Sequence, residues 1–487
     1  MRPKENASPI EGVILIAALS GFSFRYMLRT GFLDSLKNKY PKDNFLCLIS
    51  SDQSITKNEF SSDSRISYEF IDTAKIRAES SSRIGGLCQI IRKCVLDHRL
   101  DSGTADYWFG IFIRDYSKLG RSYSIKGRLL WIIIWILRHS PKLRKFFRFL
   151  EGFLLHSESV EDLFQKNRVK LVITPSAGVF HTDALLIRSA KKRRIKTIGL
   201  VTNWDHTVSK GTAAITPDVV LSWGEKMSKE LQIHHDVSPQ NINVVGPLHY
   251  DHYFSREQYC QREAFMSDLG LNPDRETILY AAMSPRTYPW NPKVIEFLAS
   301  TCERGGFNKE TQLLVRLHPN HLHGLYDWTE QWEAEEAAYK KISERYTNTT
   351  IVYPKGVGGR GTFSLDETDT TLLANCVFHS SIVVCFFSTM NLEAALLDKP
   401  TINVNMYRRE RRGIADRIPV TSLSHLQTLI RHQSGKIVSG EEDLVVAIEK
   451  YLRDPKLDSN RRKAMVSDIF GEYTGQALKR AIEAVSY

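Results

Sequence analysis

Apolar and polar residues alternate along the chain in blocks that predict strands and helices in turn. The apolar run VILIAAL (13–19) leads through a Gly-containing turn to the periodic segment RYMLRTGFLDSLKNKY (25–40), and a second apolar run, NFLCLIS (44–50), follows. Apolar runs of this length are typical of buried strands, whereas apolar residues three or four positions apart indicate a helix. The pattern therefore predicts a strand, a helix and a second strand, which is how a doubly wound sheet begins.

The alternation returns twice further along, after a stretch at 55–125 whose pattern assigns no element. One set of strands and helices runs from VKLVITPSAG (169–178) to INVVG (242–246), and another from ETILYAAMSPRTYP (276–289) to SIVVCFF (381–387). Short connections between alternating strands and helices favour parallel sheets that are covered on both faces.

The length of the chain supports two domains, because 487 residues exceed what one hydrophobic core usually organises. We predict an α/β protein with a Rossmann-like N-terminal domain at 1–250 and a Rossmann-like C-terminal domain at 251–460. A helix at 461–487 is expected to pack back on the N-terminal domain. The junction is expected near 246–255.

Composition places the chain among globular proteins of the cytoplasm. Hydrophobic residues make up 42% and charged residues 25%, which excludes a disordered chain and a membrane bundle. The seven cysteines are scattered without a CxxC, a usage that predicts reduced thiols and no zinc site. The first apolar run is a better buried strand than a signal peptide, so we expect no export.

Basic charge is concentrated in the segment 121–155. Residues 121–150 contain eight Lys or Arg and no Asp or Glu, and Ser140-Pro141 is a typical helix start. In the predicted helix, two faces separate the apolar residues Leu143, Phe146, Phe147, Leu150 and Phe153 from the basic residues Lys142, Lys145 and Arg148. This is the pattern of a helix that lies on an anionic membrane, and equally that of a core helix with a solvated charged face. No nucleic-acid-binding motif accompanies the charge.

Two hydroxyl side chains stand where a strand becomes a helix, in FFSTMNLEAALLDKPTINVN (386–405). Ser388, Thr389 and the backbone N–H groups of the predicted helix 391–397 would hold a phosphate, and Glu393 would accept hydrogen bonds from a ribose or sugar hydroxyl. Simple capping of the helix by Ser or Thr is the alternative.

Two other strand ends of the same sheet carry phosphate-binding side chains. RLHPN (316–320) contains Arg316 and His318, and SPRTYP (284–289) contains Ser284 and Arg286. Carboxyl ends of parallel strands converge on one crevice, so we expect these groups near the hydroxyl pair. The alternatives are a structural histidine and a Ser-Pro turn with an exposed arginine.

The order of GPLHYDHYF (246–254), RLHPN and the strand–ST–helix segment resembles the GT-B glycosyltransferases of bacterial surface polysaccharide synthesis. These include sialyltransferases that use CMP-sugars and CDP-glycerol glycerophosphotransferases. The resemblance covers about the last half of the chain. It implies two Rossmann-like domains facing a central cleft, with the donor nucleotide in the C-terminal domain and the acceptor at the N-terminal one.

The resemblance also implies roles for individual residues. His318, Ser388 and Thr389 would hold the nucleotide phosphate and Glu393 the ribose or donor sugar. The chain departs from the retaining EX7E pattern, because the position of the first glutamate is Cys385.

An inverting transfer needs a base in the N-terminal domain that takes the proton of the acceptor hydroxyl. The loop after the strand at 196–202 supplies Asp205 as our first candidate and His206 as the second, and the helix before that strand supplies His181 and Asp183. Turn chemistry or helix capping is the alternative for each. On the acceptor side the candidates are Gly21, Arg25, Trp204 and Lys210.

The sequence thus predicts a glycosyltransferase that moves a sugar from a CMP-, CDP- or UDP-linked donor to a glycan or glycolipid acceptor of a capsule or lipopolysaccharide. It would work at the inner face of the cytoplasmic membrane without a metal or other cofactor, since no strand-terminal DxD and no P-loop is present. A CDP-glycerol-type phosphotransferase, a sugar-nucleotide epimerase or an inactive binding module on this fold are the alternatives.

Overall fold

The computed structural model of the chain describes residues 12–50, 63–80, 83–117, 121–321, 329–357, 364–365, 367–407 and 422–486. The chain divides into two compact units. The first unit comprises Met1–His249 with Gln476–Tyr487, and the second unit comprises Tyr250–Gly475.

The first unit is built on a seven-stranded parallel sheet in the order β3-β2-β1-β4-β5-β6-β7. Its strands are β1 Val13–Ala18, β2 Asn44–Ser50, β3 Ile66–Ile71, β4 Val169–Thr174, β5 Lys196–Leu200, β6 Val219–Ser222 and β7 Ile242–Val244. Its helices before β4 are α1 Gly21–Leu28, α2 Phe32–Lys39, α3 Thr73–Glu79, α4 Arg83–Cys94, α5 Gly103–Ser117, α6 Arg121–His139, α7 Pro141–Leu154 and α8 Glu158–Lys166. Those after β4 are α9 His181–Lys192, α10 His206–Ser209, α11 Glu225–His234 and, at the end of the chain, α20 Ala477–Ala484.

The second unit is built on a six-stranded parallel sheet in the order β10-β9-β8-β13-β14-β15, with a separate antiparallel pair β11-β12. Its strands are β8 Glu276–Ala281, β9 Thr311–Arg316, β10 Thr349–Val352, β11 Gly356–Val357, β12 Ser364–Leu365, β13 Ile382–Cys385, β14 Thr401–Val404 and β15 Lys436–Val438. Its helices are α12 Arg262–Asp268, α13 Asn291–Glu303, α14 Thr329–Arg345, α15 Glu367–His379, α16 Met390–Leu396, α17 Gln427–His432, α18 Glu441–Arg453 and α19 Ser459–Phe470.

Both sheets have the classic doubly wound strand order 3-2-1-4-5-6, which the first unit extends by a seventh strand. The central strands are continuous apolar runs because helices cover both faces: every residue of β1, β9 and β13 is buried. In each unit the strand order reverses once, between β1 and β4 and between β8 and β13. Ligands of such sheets bind outside the carboxyl ends of the strands at the point of reversal, so these two places are where a site is expected.

The end of the chain differs from the predicted single helix at 461–487. Helix α19 stays with the second unit, where Arg462 Nε donates to Asp398 Oδ1 at 2.9 Å. Only α20 returns to the first unit, where Lys39 Nζ and Tyr40 Oη both donate to the Val485 carbonyl, at 2.6 and 2.8 Å. The turn at Gly471, with φ of 68°, separates the two helices, so one continuous helix was a wrong prediction.

The segment at 55–125, which the sequence pattern left unassigned, holds β3 and the helices α3, α4 and α5 in its described part. Strand β3 lies at the edge of the sheet and its residues are only half-buried or exposed. This edge position explains why ISYEFI lacks the continuous apolar run of the central strands.

Helix α7 begins after Ser140 as predicted, and the Ser140 Oγ accepts from the Leu143 N–H at 3.3 Å. Its orientation contradicts the interpretation as a core helix, because Phe146 and Phe153 are exposed whereas Arg144 is fully buried. The buried guanidinium is possible because carboxylates surround it, a pairing that periodicity alone does not reveal. No helix in the described ranges combines the length and the apolar character that crossing a membrane requires.

Candidate functional site

The strand ends of the second unit stand in one row at the point where its strand order reverses. Ala281 at the end of β8 pairs in register with Arg316 of β9 on one side and with Cys385 of β13 on the other. Neighbouring strands lie about 4.8 Å apart, so the three loops that follow leave the sheet side by side. The loops after β8 and β9 are joined directly, since Asn320 Nδ2 donates to Ser284 Oγ at 2.9 Å.

The loop after β13 makes a strained turn before α16. Phe387 has φ of 32°, a left-handed conformation that costs energy for a residue with a side chain. Asn403 of β14 holds the turn, because its Oδ1 accepts from the Phe387 N–H at 3.1 Å and from Asn391 Nδ2 at 3.0 Å. Asn403 Nδ2 returns a hydrogen bond to Asn391 Oδ1 at 2.8 Å. This buried amide pair was missed by the sequence reasoning, although a polar Asn inside the apolar strand TINV was a usable signal.

The hydroxyl pair Ser388 and Thr389 is half-buried on the turn that the amide pair holds. Ser388 Oγ accepts from the Met390 N–H at 3.3 Å, which is a long capping bond. Thr389 occupies the N-cap position of α16 without any side-chain capping bond. Capping of α16 therefore explains the Ser388 hydroxyl only in part, and it does not explain the Thr389 hydroxyl.

His318, in the loop after β9, is held as a neutral donor. Its Nδ1 accepts from the Asn320 N–H at 3.0 Å, so the ring proton sits on Nε2. Burial, with smaller contributions from the nearby His321 and Arg316, lowers the pKa of His318 to about 3. At neutral pH this half-buried side chain therefore presents a neutral Nε2–H, and no acceptor for that proton lies within the described residues.

Arg316 is placed differently from the predicted phosphate contact. Its Nη2 donates to both carboxylate oxygens of Asp369, at 2.6 and 2.5 Å, and both side chains are almost completely buried. Asp369 Oδ1 also accepts from the Lys355 N–H at 2.7 Å, which fixes the start of the segment KGVGGRG. The rest of that segment, from 358 on, lies outside the described residues. Arg316 is thus a buried structural link between β9, α15 and this loop.

Glu393 is buried on α16 and accepts a hydrogen bond from the hydroxyl of Tyr253. Burial raises the pKa of Tyr253 well above its usual value, and the Glu393 carboxylate adds to that rise. One carboxylate oxygen is therefore engaged by the protein, and binding of a ribose or sugar hydroxyl by Glu393 stays a prediction. Tyr253 belongs to GPLHYDHYF, whose pattern had marked the junction without assigning the tyrosine a role.

Arg286 lies exposed in the loop after β8, near the same row of strand ends. Ser284 in that loop is 8% exposed, and its backbone carbonyl accepts from the N–H groups of Thr287 and Tyr288 at 2.9 and 3.0 Å. These bonds form the predicted Ser-Pro turn. The hydroxyl of Ser284 points to Asn320, so it is linked to the His318 loop.

In the first unit, the loop after β5 brings together several of the predicted residues. Asp205 Oδ2 accepts from Ser209 Oγ at 2.5 Å and lies 3.3 Å from Lys210 Nζ. The Trp204 N–H donates to Asn203 Oδ1 at 2.8 Å, which shapes the turn. The Asp205 carboxylate thus stands in a half-buried ion pair.

The two histidine candidates of the first unit are neutral at physiological pH. Burial lowers the pKa of both His181 and His206 to about 4. The ring of His206 meets Phe180 edge-on at 5.0 Å, which connects the loop after β5 with the start of α9. His181 Nε2 lies 2.5 Å from Ser80 Oγ, so this side chain points toward the end of α3.

Gly21 and Arg25 lie on α1, directly after β1 and hence at the strand reversal of the first unit. Ser20 caps this helix, and its Oγ accepts from the Ser23 N–H at 3.1 Å. The Arg25 guanidinium stacks 5.2 Å from the Phe22 ring. The role of Gly21 and Arg25 on the acceptor side stays a prediction.

Asp183 is a fully buried carboxyl at the other side of the same reversal, after β4. Its Oδ2 accepts from Ser176 Oγ at 2.5 Å. Burial raises the pKa of Asp183 to about 7, and the serine hydrogen bond only partly opposes this. The carboxyl therefore changes its protonation near neutral pH, in contrast to an ordinary aspartate.

We expect Asp183 to make the first unit less stable as pH rises from about 4 to about 7. In this range the unfolded carboxyl has lost its proton and the folded one retains it, so stability falls by at most about 1.4 kcal/mol per pH unit. Above about pH 7 both forms are ionised and the slope vanishes. Urea unfolding of wild type and Asp183→Asn between pH 5 and pH 8 measures this, and the variant should lose that slope. Equal slopes would contradict the burial argument.

Within the described residues, no group of three or more His, Cys, Asp or Glu side chains is arranged to hold a metal ion.

Comparison with solved structures identifies the fold. S. aureus MnaA, solved with UDP, has a TM-score of 0.53 at 11% identity, covering 97% of this chain and 95% of that one. A UDP-N-acetylglucosamine 2-epimerase has a TM-score of 0.51 at 13% identity, covering 98% and 95%. The UDP-GlcNAc 2-epimerase of Neisseria meningitidis, bound to UDP-GlcNAc, has a TM-score of 0.52 at 9% identity, covering 97% and 99%.

The chain has the GT-B fold. The match extends over both units, and the two parallel sheets with Rossmann strand order agree with it, so the predicted fold class is confirmed. Neither protein-family models nor curated proteins match the sequence. At identities near 10% the solved structures establish the fold, and any activity has to be argued from the site.

Proposed function

We propose that this protein is an enzyme that binds a sugar nucleotide at the carboxyl ends of β8, β9 and β13 and transfers the sugar to a glycan or glycolipid acceptor. One observation carries the proposal. His318 is fixed as a neutral Nε2–H donor beside the strand reversal of the second unit, in the row that also carries Ser388 and Thr389. A donor that is fixed in advance is suited to stabilising charge that develops on a leaving phosphate.

The hydroxyls of Ser388 and Thr389 are proposed to bind the phosphates together with His318, while exposed Arg286 offers a positive charge from the neighbouring loop. Glu393, held by Tyr253, is proposed to face the ribose or the sugar. Direct phosphate binding by Arg316 stays a prediction, because Asp369 takes up Nη2 while the buried Nε and Nη1 have no partner among the described residues. Its proposed role is to position the loop that carries His318.

On the acceptor side we keep Asp205 as the proposed base and His206 as the second candidate. Asp205 is a carboxylate in a half-buried loop, and its contact with Lys210 favours the ionised form that a base needs. His206 is neutral and can accept a proton, although its lowered pKa makes it a weak base. Asp183 is buried away from solvent, which argues against direct contact with an acceptor.

A uridine nucleotide is the donor class to test first. MnaA was solved with UDP and the N. meningitidis epimerase with UDP-GlcNAc, and both have the fold of this chain. CMP- and CDP-linked donors remain in the proposal as the second choice.

The second candidate function is epimerisation of a UDP-linked sugar, and the names of the compared structures favour it. The two reactions differ in what they consume. Transfer releases nucleotide only when an acceptor is present, whereas an epimerase changes the sugar of the donor without any acceptor. A CDP-glycerol-type transfer would instead leave phosphorus in the product.

The experiment incubates the protein with UDP-GlcNAc, UDP-glucose, CMP-sialic acid or CDP-glycerol, with and without a bacterial glycolipid extract. We expect nucleotide release that depends on both one donor and the extract. A new sugar epimer without release would favour the second candidate. Neither release nor an epimer with any donor would contradict the proposed enzyme.

A further inference from the structure

Helix α7 turns Arg144, Arg148 and Glu151 inward and most of its apolar side chains outward. Arg144 Nη2 contacts Asp97 Oδ2 at 2.9 Å and Asp236 Oδ1 at 2.8 Å, and Arg148 Nη2 contacts Asp236 Oδ2 at 2.5 Å. On the same inward face, Glu151 pairs with Arg92 at 2.9 Å. The exposed apolar side chains of α7, each 46–66% accessible, are Leu143, Phe146, Phe149, Leu150 and Phe153.

Helix α6 continues this exposed surface. Its inward stripe Leu130, Ile134 and Leu137 packs with α4 residues such as Ile91, and the half-buried Phe147 of α7 joins the same cluster. Its other sides expose Ile125, Leu129, Trp131, Ile132, Ile133, Trp135 and Ile136. We call the exposed apolar residues of α6 and α7 the α6–α7 surface. Folded soluble proteins rarely expose an apolar area of this extent without a partner.

The charged side chains that α6 and α7 themselves expose in their described part are basic. Arg128, Lys142 and Lys145 are exposed on the two helices, and residues 121–150 contain no acidic side chain. Trp131 and Trp135 add rings with an apolar body and a polar N–H, which favour the boundary between lipid headgroups and acyl chains. Apolar and aromatic side chains flanked by Lys and Arg are the features of helices that lie in the plane of an anionic membrane.

We propose that the α6–α7 surface docks this protein on an anionic lipid bilayer, with both helices lying at the interface. The apolar side chains would enter the headgroup boundary while the Lys and Arg stems extend to the phosphates. This goes beyond the predicted basic helix that starts at Ser140-Pro141, because α6 supplies more than half of the residues of the surface. It also reverses the predicted role of Arg148, which is held inside the first unit.

The single sign of charge argues against a second copy of this chain as the occupant. A symmetric dimer would pair this surface with itself, so Arg128, Lys142 and Lys145 of each copy would meet only the apolar or basic side chains that α6 and α7 expose. Like charges placed in this way repel. An anionic bilayer instead offers phosphates to the same side chains.

The test is flotation of the full chain with vesicles of phosphatidylcholine alone or mixed with phosphatidylglycerol. We expect binding to the mixed vesicles only. Arg128→Gln combined with Lys142→Gln and Lys145→Gln should weaken it about 100-fold, since each basic residue near a charged surface contributes about a factor of five. Phe149→Ser with Phe153→Ser should weaken it by about 100-fold as well, through lost apolar contact.

The matched control is Ile437→Ser with Val446→Ser, which removes two apolar side chains of similar exposure from the second unit. This control should bind as wild type does, and all three variants should unfold at the wild-type temperature because the changed side chains are exposed. No binding to mixed vesicles, or equal binding by the phenylalanine variant, would overturn the proposal. A dimer that Phe149→Ser and Phe153→Ser convert to a monomer, with no vesicle binding, would identify a second copy as the occupant. No sugar nucleotide enters this test, so its result is independent of the proposed enzyme activity.

Discussion

Replacing His318 by Ala is expected to lower kcat for sugar-nucleotide turnover about 10²- to 10³-fold. Loss of one donor fixed toward developing charge has this effect in other enzymes. Here the donor is Nε2–H, because Nδ1 already accepts from the Asn320 N–H. Steady-state kinetics with the donor that proves active measures the change. We expect KM to change much less than kcat.

Two matched variants sharpen the His318 prediction. His318→Gln keeps an N–H near the position of Nε2 and should recover part of the rate. His432→Ala removes a histidine of the same unit that contacts Asp468 of α19 and lies outside the loops after β8, β9 and β13, and should retain full activity. The ratio of wild type to His318→Gln in kcat/KM should stay constant between pH 5 and pH 8, because the pKa of His318 is lowered to about 3. A ratio that falls as pH rises through about 6.5 would show a protonated imidazole and contradict the neutral donor.

Arg316→Ala is expected to destabilise the second unit by about 3–5 kcal/mol, the cost of leaving one charge of a buried pair without its partner. The partner is Asp369, which is completely buried and contacts Arg316 Nη2 at 2.5 Å. Urea unfolding followed by a probe in the second unit measures the loss.

The exposed pair Arg345–Glu296 is the control for Arg316. It lies in the same unit with 70% and 55% of its side chains accessible, and Arg345→Ala should cost less than about 1 kcal/mol. Arg316→Met with Asp369→Leu removes both buried charges and should recover most of the lost stability. If Arg316→Ala keeps its stability and loses nucleotide affinity, Arg316 is a phosphate ligand, as the sequence had suggested.

The fold was accessible from the sequence because buried parallel strands are continuous apolar runs. VILIAAL and SIVVCFF stand out in this way, and both became central strands. Edge strands do not stand out in this way. Strand β3, ISYEFI, carries polar residues because one side of it faces solvent. Periodicity also could not predict which face of α7 is buried. Its arginines are buried by Asp97 and Asp236, which are distant in sequence.

The candidate site could be predicted only in part, because contacts between residues distant in sequence also decide how its side chains are used. The order of the motifs predicted that His318 and Ser388 lie at strand ends of one sheet, and the register places the loops after β9 and β13 in one row with the β8 loop between them. Nothing in the sequence pattern indicates which polar side chains are already paired within the protein. Arg316 donates a hydrogen bond to Asp369, and Tyr253 donates one to Glu393. Only the folded chain reveals these contacts.

The measurement that tests the central claim most directly is thermal unfolding with UDP, CDP, CMP, GDP and ADP in turn. A ligand at about 100 times its Kd stabilises the native state by about 2.7 kcal/mol, which gives a clear shift. We expect one nucleotide to raise the unfolding temperature of wild type and Asp205→Asn alike. The variant that combines His318→Ala with Ser388→Ala should lose this shift. No shift with any nucleotide, or an equal shift in the double variant, would contradict a nucleotide site at the ends of β8, β9 and β13.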